Sequence, residues 1–228
     1  MANVAITGAG RGIALELVKL HVERGDQVFA LLRDPEGAAA LKAIAAGSGG
    51  SVTLHAMDVG DDASVRDGAA DTGDAAIDVL YNVAGVSGSV TSELESADFT
   101  DWAEVFNINV SGPMRVFQAF LPRLKAGAKV LSLGSQVGAS TWPYPGYEAY
   151  AASKAALHRL MHSIALGTRE RGIIAVSVHP GWVRTAMGGP QADLTPQESA
   201  EGIAALADRL TPEMSGGFYK WNGEPHAW

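Results

Sequence analysis

Two residues four apart in the sequence, Tyr150 and Lys154, could together transfer a proton. They lie in an alanine-rich segment whose apolar spacing predicts a helix, so both side chains fall on one face. A nearby ammonium group favours the ionised phenol, which makes tyrosine a better proton donor and acceptor near neutral pH. The pair suits acid–base chemistry on an alcohol or a carbonyl. The same spacing also occurs in ordinary solvated helices, so the surrounding elements must decide between the two interpretations.

Composition bounds the kinds of protein this chain can be. Its 228 residues with 47% hydrophobic content predict one core and a single α/β domain over 1–228. A net charge of -8 argues against nucleic acid as a partner. The absence of cysteine excludes disulfides, thiolate catalysis and thiolate metal sites. With no basic leader and no apolar run of membrane length, we expect a cytoplasmic protein that does not bind membranes.

The N-terminal segment predicts a strand, a tight turn and a helix. A short apolar run over 4–6 enters a glycine-rich turn, and apolar residues then recur at helical spacing. Glycines allow close approach of a diphosphate, which a helix N-terminus attracts with free N–H groups. Such turns also join strands to helices without any ligand, but the position directly after a first strand favours a nucleotide site. The expected cofactor contacts are Gly8, Gly10, Arg11, Gly12 and Ile13.

The end of the second predicted strand, 27–32, bears on which nicotinamide cofactor is used. An acidic residue there binds the ribose 2′-hydroxyl of NAD, whereas an arginine accommodates the 2′-phosphate of NADP. Arg33 follows this strand, and Arg11 supplies a second cation from the glycine turn. We therefore expect NADP(H), although Asp34 keeps NAD(H) open and Arg33 could be an ordinary solvated residue.

Two further strands, over 52–59 and 77–81, end in residues that suit a nucleotide. Asp58 could accept a hydrogen bond from an adenine amino group, or it could cap the helix that begins near 61–64. The small residues after the next strand would let a cofactor lie against the backbone, and Asn82 could hold neighbouring strands together. A Ser/Gly/Glu-rich loop is predicted over 86–97.

The middle of the chain predicts a helix over 100–124, broken near Gly112-Pro113, and a fifth strand over 129–134. Asn109 could bind a water or mark the helix break. Ser135 follows the fifth strand and could donate to a substrate oxygen, or it could be a turn residue. The aromatic-rich loop over 137–147 predicts one wall of an apolar substrate pocket, or an ordinary structured loop.

Besides the face that carries Tyr150 and Lys154, the helix predicted over 149–171 has a second stripe of residues at helical spacing. This stripe contains Ala151, Ala155, His158, His162 and Ala165. Small residues at this spacing permit close helix approach and indicate a self-association face. His158 and His162 have metal-ligand spacing but no evident third ligand, so we expect no metal. A sixth strand over 173–178, a plausible lid over 187–196, a last helix over 196–210 and a seventh strand over 217–221 complete the chain.

Strands alternating with helices predict a Rossmann-type, doubly wound parallel sheet of about seven strands with helices on both faces. The motifs resemble those of the short-chain dehydrogenase/reductase family, in order along essentially all of the chain: the glycine turn (with Ala14 in place of a glycine), Asp58-Val59, and Asn82-Val83-Ala84-Gly85, where Val83 replaces an asparagine. The resemblance implies a catalytic tetrad of Asn109, Ser135, Tyr150 and Lys154. It further implies cofactor contacts from Arg33, Asp58, Val59, Asn82, Ala84, Gly85, Tyr150, Lys154, Pro180, Gly181, Val183 and Thr185.

The resemblance implies an NADP(H)-dependent oxidoreductase that transfers a hydride between the nicotinamide and a carbonyl or secondary alcohol, with Tyr150 as general acid and base. The residues after the second strand and the closing Trp228 are similar to those of C-factor and sniffer-type carbonyl reductases. Two alternatives stay open: an NADP-binding signalling or regulatory protein with little turnover, and an NAD-linked alcohol dehydrogenase. The expected partners are a small-molecule carbonyl or alcohol substrate and a second copy of the chain, in a homodimer or homotetramer.

Overall fold

The computed structural model describes residues 1–89 and 97–228, which form a doubly wound α/β fold of the Rossmann type, as predicted. Seven strands in these ranges make one sheet in the order β3-β2-β1-β4-β5-β6-β7, and every neighbouring pair is parallel. The strands are β1 (Asn3–Thr7), β2 (Gln27–Leu32), β3 (Val52–Ala56), β4 (Ile77–Asn82), β5 (Leu124–Leu133), β6 (Ile174–His179) and β7 (Phe218–Lys220).

Helices cover both faces of the sheet. They are α1 (Gly12–Glu23), α2 (Ala39–Gly47), α3 (Asp62–Asp71), α4 (Phe99–Phe106), α5 (Gly112–Phe120), α6 (Glu148–Thr168) and α7 (Pro196–Arg209). Residues of α1, α2 and α7 pack in one apolar cluster with alternate strand residues such as Val28 and Ala30. Residues of α3, α5 and α6 pack in a second cluster with the intervening strand residues, such as Phe29 and Leu31. Strand side chains alternate between faces, so a near-continuous apolar strand fills both layers.

The strand order places a crevice at the carboxyl ends of the strands, which we call the carboxyl edge. β1 lies between β2 and β4, so the connections after β1 and β4 run to opposite sides of the sheet. At such a switch point the loops diverge and leave room for a ligand. The turns that follow β1, β4, β5 and β6 all open at this edge.

The helix break in the middle of the chain differs from the prediction. The predicted interruption near Gly112-Pro113 is a π-helical segment, Asn107–Ser111, that joins α4 to α5. Pro113 is the second residue of α5, which continues directly from the π-helical segment. The helical run ends with a 3-10 turn, and β5 begins at Leu124, five residues before the predicted start, with a register shift against β4.

Other boundaries differ by a few residues, and one helix was not predicted. β3 ends at Ala56 rather than at 59, α2 is additional, and α6 ends at Thr168 with a 3-10 turn after it. The loop predicted over 86–97 lies partly outside the described residues. Within the described residues, no helix is long and apolar enough to cross a membrane.

The predicted self-association stripe on α6 is not a continuous outer face. His158 and Ala165 are 2% and 5% exposed, because they pack inside the chain. Only Ala155 of the five stripe residues is fully exposed, while Ala151 and His162 are half-buried. The stripe prediction treated a boundary between two layers as a free surface.

Candidate active site

The start of α6 presents Tyr150 and Lys154 to the carboxyl edge, as predicted. Tyr147 precedes the helix in the left-handed conformation, with φ of 61°, and its ring meets the Tyr150 ring edge-on at 6.5 Å. Tyr150 is half-buried, and Lys154 is buried with its Nζ donating to the Leu133 carbonyl at 2.7 Å. The Lys154 Nζ lies 5.5 Å from the centre of the Tyr150 ring. The two side chains therefore share one end of the crevice.

Burial dominates the ionisation of both groups. It lowers the pKa of Lys154 to about 8, because the interior disfavours the ammonium form. Burial also raises the pKa of Tyr150, and a hydrogen bond with Ser135 acts in the opposite direction. The sequence predicts that Lys154 favours ionised Tyr150, whereas the pKa shift of Tyr150 comes from burial and the Ser135 hydrogen bond, and its upward direction favours the protonated phenol.

Ser135 lies two residues beyond β5, at the start of a 3-10 turn, Gln136–Gly138. Its Oγ accepts from the Val137 N–H at 3.2 Å. The turn packs tightly on α6: a Cβ at Gly138 would lie 2.6 Å from the Ala155 nitrogen. This packing brings the Ser135 hydroxyl to Tyr150 from a separate element.

Asn109 lies in the π-helical segment and is fully buried. Its Oδ1 accepts from the Val86 N–H at 2.9 Å, and its Nδ2 donates to the Val86 carbonyl at 2.8 Å and to Ser153 Oγ at 3.0 Å. A Cβ at Gly85 would lie 3.1 Å from Asn109 Oδ1 and 3.6 Å from Lys154 Nζ. Asn109 thus joins the loop after β4 to α6, beside Lys154, and these bonds occupy its amide.

The glycine turn after β1 forms a cradle that fits a diphosphate. Gly8 and Gly12 have φ of 70° and 58°, and a Cβ on them would lie 3.1 Å from Ala84 Cα and 3.3 Å from Thr185 Cγ2. The first turn of α1 has no side-chain cap, whereas Asp61, Asp98 and Thr195 cap α3, α4 and α7. Uncapped N–H groups at a helix N-terminus attract anions. The chain's residues therefore fit a dinucleotide cofactor.

The predicted contacts at the adenosine end also lie along this edge. Arg33 follows β2 and is exposed, as is Arg11 in the glycine turn. The Asp34 carboxylate accepts from the Gly37 N–H at 2.9 Å, so it closes a local turn. This hydrogen bond ties Asp34 to its own loop and leaves two cations beside the turn.

The residues predicted at the ends of the next two strands lie at the carboxyl edge, although Asp58 and Val59 follow β3 and are not part of it. Asp58 Oδ1 accepts from the Gly60 N–H at 2.9 Å. The cap of α3 is Asp61, so the capping alternative for Asp58 is wrong. Asn82, at the end of β4, donates to Ser132 Oγ at 3.2 Å, and its Oδ1 is buried with no hydrogen-bond partner.

The segment after β6 closes over the glycine turn. Thr185 lies against Gly12, and its Oγ1 accepts from the Gly188 N–H at 3.2 Å. The Pro180 carbonyl accepts from Ser199 Oγ at 2.7 Å, and Gly181 takes a positive φ of 85°. Val183 pairs with Leu194 in an isolated bridge. These bonds anchor both ends of the segment that was predicted to be a lid.

Exposed aromatic groups flank the entrance to the crevice. Tyr144, Tyr147 and Trp182 are 66%, 44% and 49% exposed. Trp142 and Tyr144 meet edge-on at 5.1 Å in the loop that was predicted to form the pocket wall. Among the described residues no group of three or more His, Cys, Asp or Glu could hold a metal ion.

Two polar residues at this edge were missed as site residues in the sequence. Thr7 Oγ1 donates to the Tyr81 carbonyl at 3.4 Å and accepts from the N–H groups of Val83 and Ala84, at 3.0 and 3.2 Å. His158 contacts the Ser135 carbonyl from α6. Thr7 lies inside the glycine motif and could have been found there, whereas the contact of His158 depends on tertiary packing.

Comparison with known proteins shows the family and the fold of the chain. The family model described as short chain dehydrogenase matches residues 2–194. The C-signal of Myxococcus xanthus is 41% identical over 155 residues, which cover 67% of this chain and 93% of that protein. The NADPH-bound carbonyl reductase from chicken fatty liver has a TM-score of 0.92 at 32% identity, covering 100% of this chain and 99% of that one. The carbonyl reductase Sniffer of D. melanogaster has a TM-score of 0.94 at 27% identity, with both chains covered completely.

Proposed function

Because the chain belongs to the short-chain dehydrogenase family, we propose that it is an NADP(H)-dependent carbonyl reductase. One observation carries the proposal: Ser135, from the turn after β5, meets Tyr150 and Lys154 of α6 at the edge that also carries an uncapped, glycine-lined helix N-terminus. A proton donor and a second hydrogen-bond donor thus face a cradle that suits a nicotinamide dinucleotide. The chicken liver relative is a solved carbonyl reductase with NADPH bound.

The proposed roles follow from protonation and position. When bound, the cofactor supplies or accepts the hydride. Tyr150, held protonated by burial, donates its proton to the carbonyl oxygen, and Ser135 donates a hydrogen bond to the same oxygen as negative charge develops. Lys154 holds the cofactor's ribose hydroxyls. Its Nζ is already fixed by the Leu133 carbonyl.

Asn109 acts on this site as a positioning residue. Its amide is bonded to both the N–H and the carbonyl of Val86 and to Ser153, so it fixes the loop after β4 against α6. The sequence suggested that Asn109 could bind a water, and such a water could link Lys154 to solvent. Because the Asn109 amide is already bonded to Val86 and Ser153, this water would have to bind to another group.

The preference for NADP(H) over NAD(H) rests on the loop after β2. Arg33 and Arg11 supply positive charge for a 2′-phosphate. Asp34 Oδ1 accepts from the Gly37 N–H, which holds this carboxylate in its own turn. The two exposed cations support NADP(H), and Asp34 is the acidic group on which the NAD-linked alternative depends.

The substrate is proposed to be a carbonyl compound with an apolar body. The aromatic groups Trp142, Tyr144, Tyr147 and Trp182 near the crevice offer apolar contact area around one polar reaction centre. Cytoplasmic location and a homodimer or homotetramer remain proposals from the sequence, and the partly buried α6 stripe leaves the dimer face open.

A signalling or regulatory role is the second candidate, favoured by the 41% identity to a protein named C-signal. In that case the cofactor site is kept for binding and turnover is incidental. Two variants, each expressed in a cell that responds to the protein, distinguish the signalling role from the reductase role. A response that survives Tyr150→Phe and is lost in Gly12→Asp supports signalling by the cofactor-bound form.

The direct test of the proposed function is cofactor oxidation with NADPH and NADH in parallel, over aldehydes, ketones, quinones and diketones. We expect faster oxidation of NADPH than of NADH with at least one carbonyl, and loss of that rate in Tyr150→Phe. Binding of NADPH without turnover on any of these carbonyls would contradict the reductase proposal and favour the second candidate.

A further inference from the structure

A buried histidine, His158, connects the catalytic helix to the backbone of Ser135. It lies one turn beyond Lys154 on α6 and is 2% exposed. Its Nε2 is 3.0 Å from the Ser135 carbonyl oxygen, and its Nδ1 is 2.7 Å from Ser177 Oγ on β6. The proposed reaction assigns no role to this residue.

The partners of His158 determine which ring nitrogen carries the proton. A carbonyl oxygen only accepts, so Nε2 must donate to Ser135, and in the neutral ring Nδ1 then accepts from the Ser177 hydroxyl. Burial lowers the pKa of His158 to about 4, so the ring is neutral at pH 7. The Phe218 ring lies against it with centroids 3.9 Å apart and restricts its rotation. The imidazole is thus a fixed single donor aimed at residue 135.

The strand end is shaped to accept this contact. Any side chain at Gly134 would overlap His158 and the Ser177 hydroxyl, so only glycine lets the strand end meet the ring. The Ser135 carbonyl also accepts from the Gly138 N–H at 3.1 Å, which closes the short turn. The Gly138 bond ties Ser135 to its own turn, whereas the His158 bond ties it to α6, the element that carries Tyr150.

We propose that His158 is a positioning residue: it holds Ser135 through its carbonyl so that the serine hydroxyl and Tyr150 meet the same substrate oxygen. This inference rests on the proposed reductase function. Removing the Nε2 donor breaks the hydrogen bond between the Ser135 backbone and α6, which leaves the side-chain bond to Tyr150 to hold the serine against this helix. A shift of about 1 Å in a reacting group can lower a rate by about 100-fold.

Two substitutions at His158 test its two hydrogen bonds separately. The Gln side chain places its amide nitrogen near the position of Nε2, and the shorter Asn side chain places it near Nδ1. We expect His158→Gln to retain kcat within about threefold, and His158→Asn to lose about 10- to 100-fold in kcat with little change in NADPH affinity. His162→Asn is the matched control, since His162 lies one turn further and contacts the Gly216 carbonyl instead.

A double-substitution cycle separates positioning from a general loss of structure. If His158 acts through the Ser135 hydroxyl, then His158→Asn costs less than about twofold in kcat once Ser135→Ala is present. A full additional loss in the Ser135→Ala background would overturn the proposal. So would equal rates in the Asn and Gln variants, or a wild-type rate in a folded His158→Asn protein.

A measurement on the unsubstituted protein keeps the proposal testable even if the variants do not fold. Imidazole ¹⁵N chemical shifts at pH 7 should show a His158 ring protonated at Nε2 and unprotonated at Nδ1. Protonation at Nδ1 would overturn the proposal without any activity assay. If the wild-type protein oxidises no cofactor but shows the Nε2 tautomer, the proposed function fails while the hydrogen bond to Ser135 stands.

Discussion

The two ends of the sheet bury polar groups of similar kinds, but three of the four buried side-chain atoms without a hydrogen-bond partner among the described residues lie at the carboxyl end. At the amino end, His21 is bonded to Asp26 at 2.8 Å and to the Tyr81 hydroxyl at 3.3 Å, and Asp26 also accepts from the Ala2 N–H at 2.7 Å. Each ring nitrogen and both carboxylate oxygens have partners. The cluster joins α1, β4 and the start of the chain, which is what a stabilising network does.

At the carboxyl edge, several buried polar side-chain atoms have no hydrogen-bond partner. Four buried side-chain atoms among the described residues have no hydrogen-bond partner, and three lie at the carboxyl edge: Asn82 Oδ1 and His179 Nδ1 at the ends of β4 and β6, and Trp142 Nε1 in the loop after β5. The fourth belongs to Arg123, just before β5, whose guanidinium already makes three hydrogen bonds. Unpaired buried polar groups are costly, and they concentrate at sites that bind ligands. Their distribution supports the placement of the proposed site at the carboxyl edge.

Two tyrosines, half-buried Tyr150 and fully buried Tyr81, give the largest contrast between the proposed site and the His21 cluster. Tyr150→Phe should lower turnover by about 100-fold or more, because it removes the proton donor, with little change in stability. Tyr81→Phe should leave turnover unchanged and cost about 1 kcal/mol of unfolding free energy, because His21 loses a partner. Steady-state kinetics and urea unfolding of both variants test this. Equal kinetic losses in the two variants would remove the distinction.

The same substitution at two glycines should separate cofactor binding from backbone strain. Gly12→Asp places a carboxylate where a diphosphate must bind, and we expect NADPH affinity to fall by about 100-fold. Gly25→Asp, with φ of 75° and open space around it, introduces comparable strain far from the crevice. Calorimetric titration with NADPH should show near wild-type affinity for the Gly25 variant. An unaffected Gly12 variant would place the cofactor elsewhere.

The preference for NADPH over NADH should change when a charge is reversed at the carboxyl edge, but not when one is reversed at the amino end of the sheet. Arg33→Asp should lower the NADPH-to-NADH ratio of kcat/KM by about tenfold or more, since a charge-assisted hydrogen bond to the 2′-phosphate is lost. Arg24→Asp makes the same change in net charge beside Asp208, at the amino end, and should leave the ratio unchanged. No shift in the Arg33 variant would count against the assignment of NADP(H).

Acid stability gives the smallest expected difference. Burial lowers the pKa of His158 to about 4, below the 6.5 of a free ring, so the unfolded state binds more protons between these values. Stability from this residue is therefore complete above pH 6.5 and falls as the pH falls towards 4, by about 1 kcal/mol at pH 5.5. His21 keeps Asp26 as a counterion, which opposes its own lowered pKa. His158→Gln should flatten the pH dependence of urea unfolding more than His21→Gln, and the reverse order would contradict this.

The sequence was sufficient for the order of the seven strands and for the limits of β2, whereas α2 was not predicted and β3 ends three residues before its predicted end. Apolar runs such as 27–32 lie within both layers of a parallel sheet, so their limits coincide with β2. The turns at Gly8, Asp58, Asn82 and Pro180 follow parallel strands, and parallel strands bring their carboxyl ends to one edge. The position of the proposed site therefore follows from local patterns and one topological rule.

What the sequence could not show depends on contacts between distant segments. The π-helical turn at Asn109 is coupled to hydrogen bonds with Val86, 23 residues away. His158 was placed on an outer stripe because spacing alone cannot distinguish an exposed face from a seam between α6 and β6. The direction of the Tyr150 pKa shift depends on burial, which the Tyr150–Lys154 spacing does not report.

The central claim is that the carboxyl edge reduces a carbonyl with hydride from NADPH and a proton from Tyr150. It is tested most directly with NADPH carrying deuterium at nicotinamide C4, in separate 4R and 4S preparations, and a reactive ketone. The account predicts one deuterium on the carbinol carbon of the product from one preparation only, and about 100-fold less labelled product in the same time with Tyr150→Phe. Ketone reduction without deuterium transfer, or full transfer by the Tyr150→Phe protein, would contradict it.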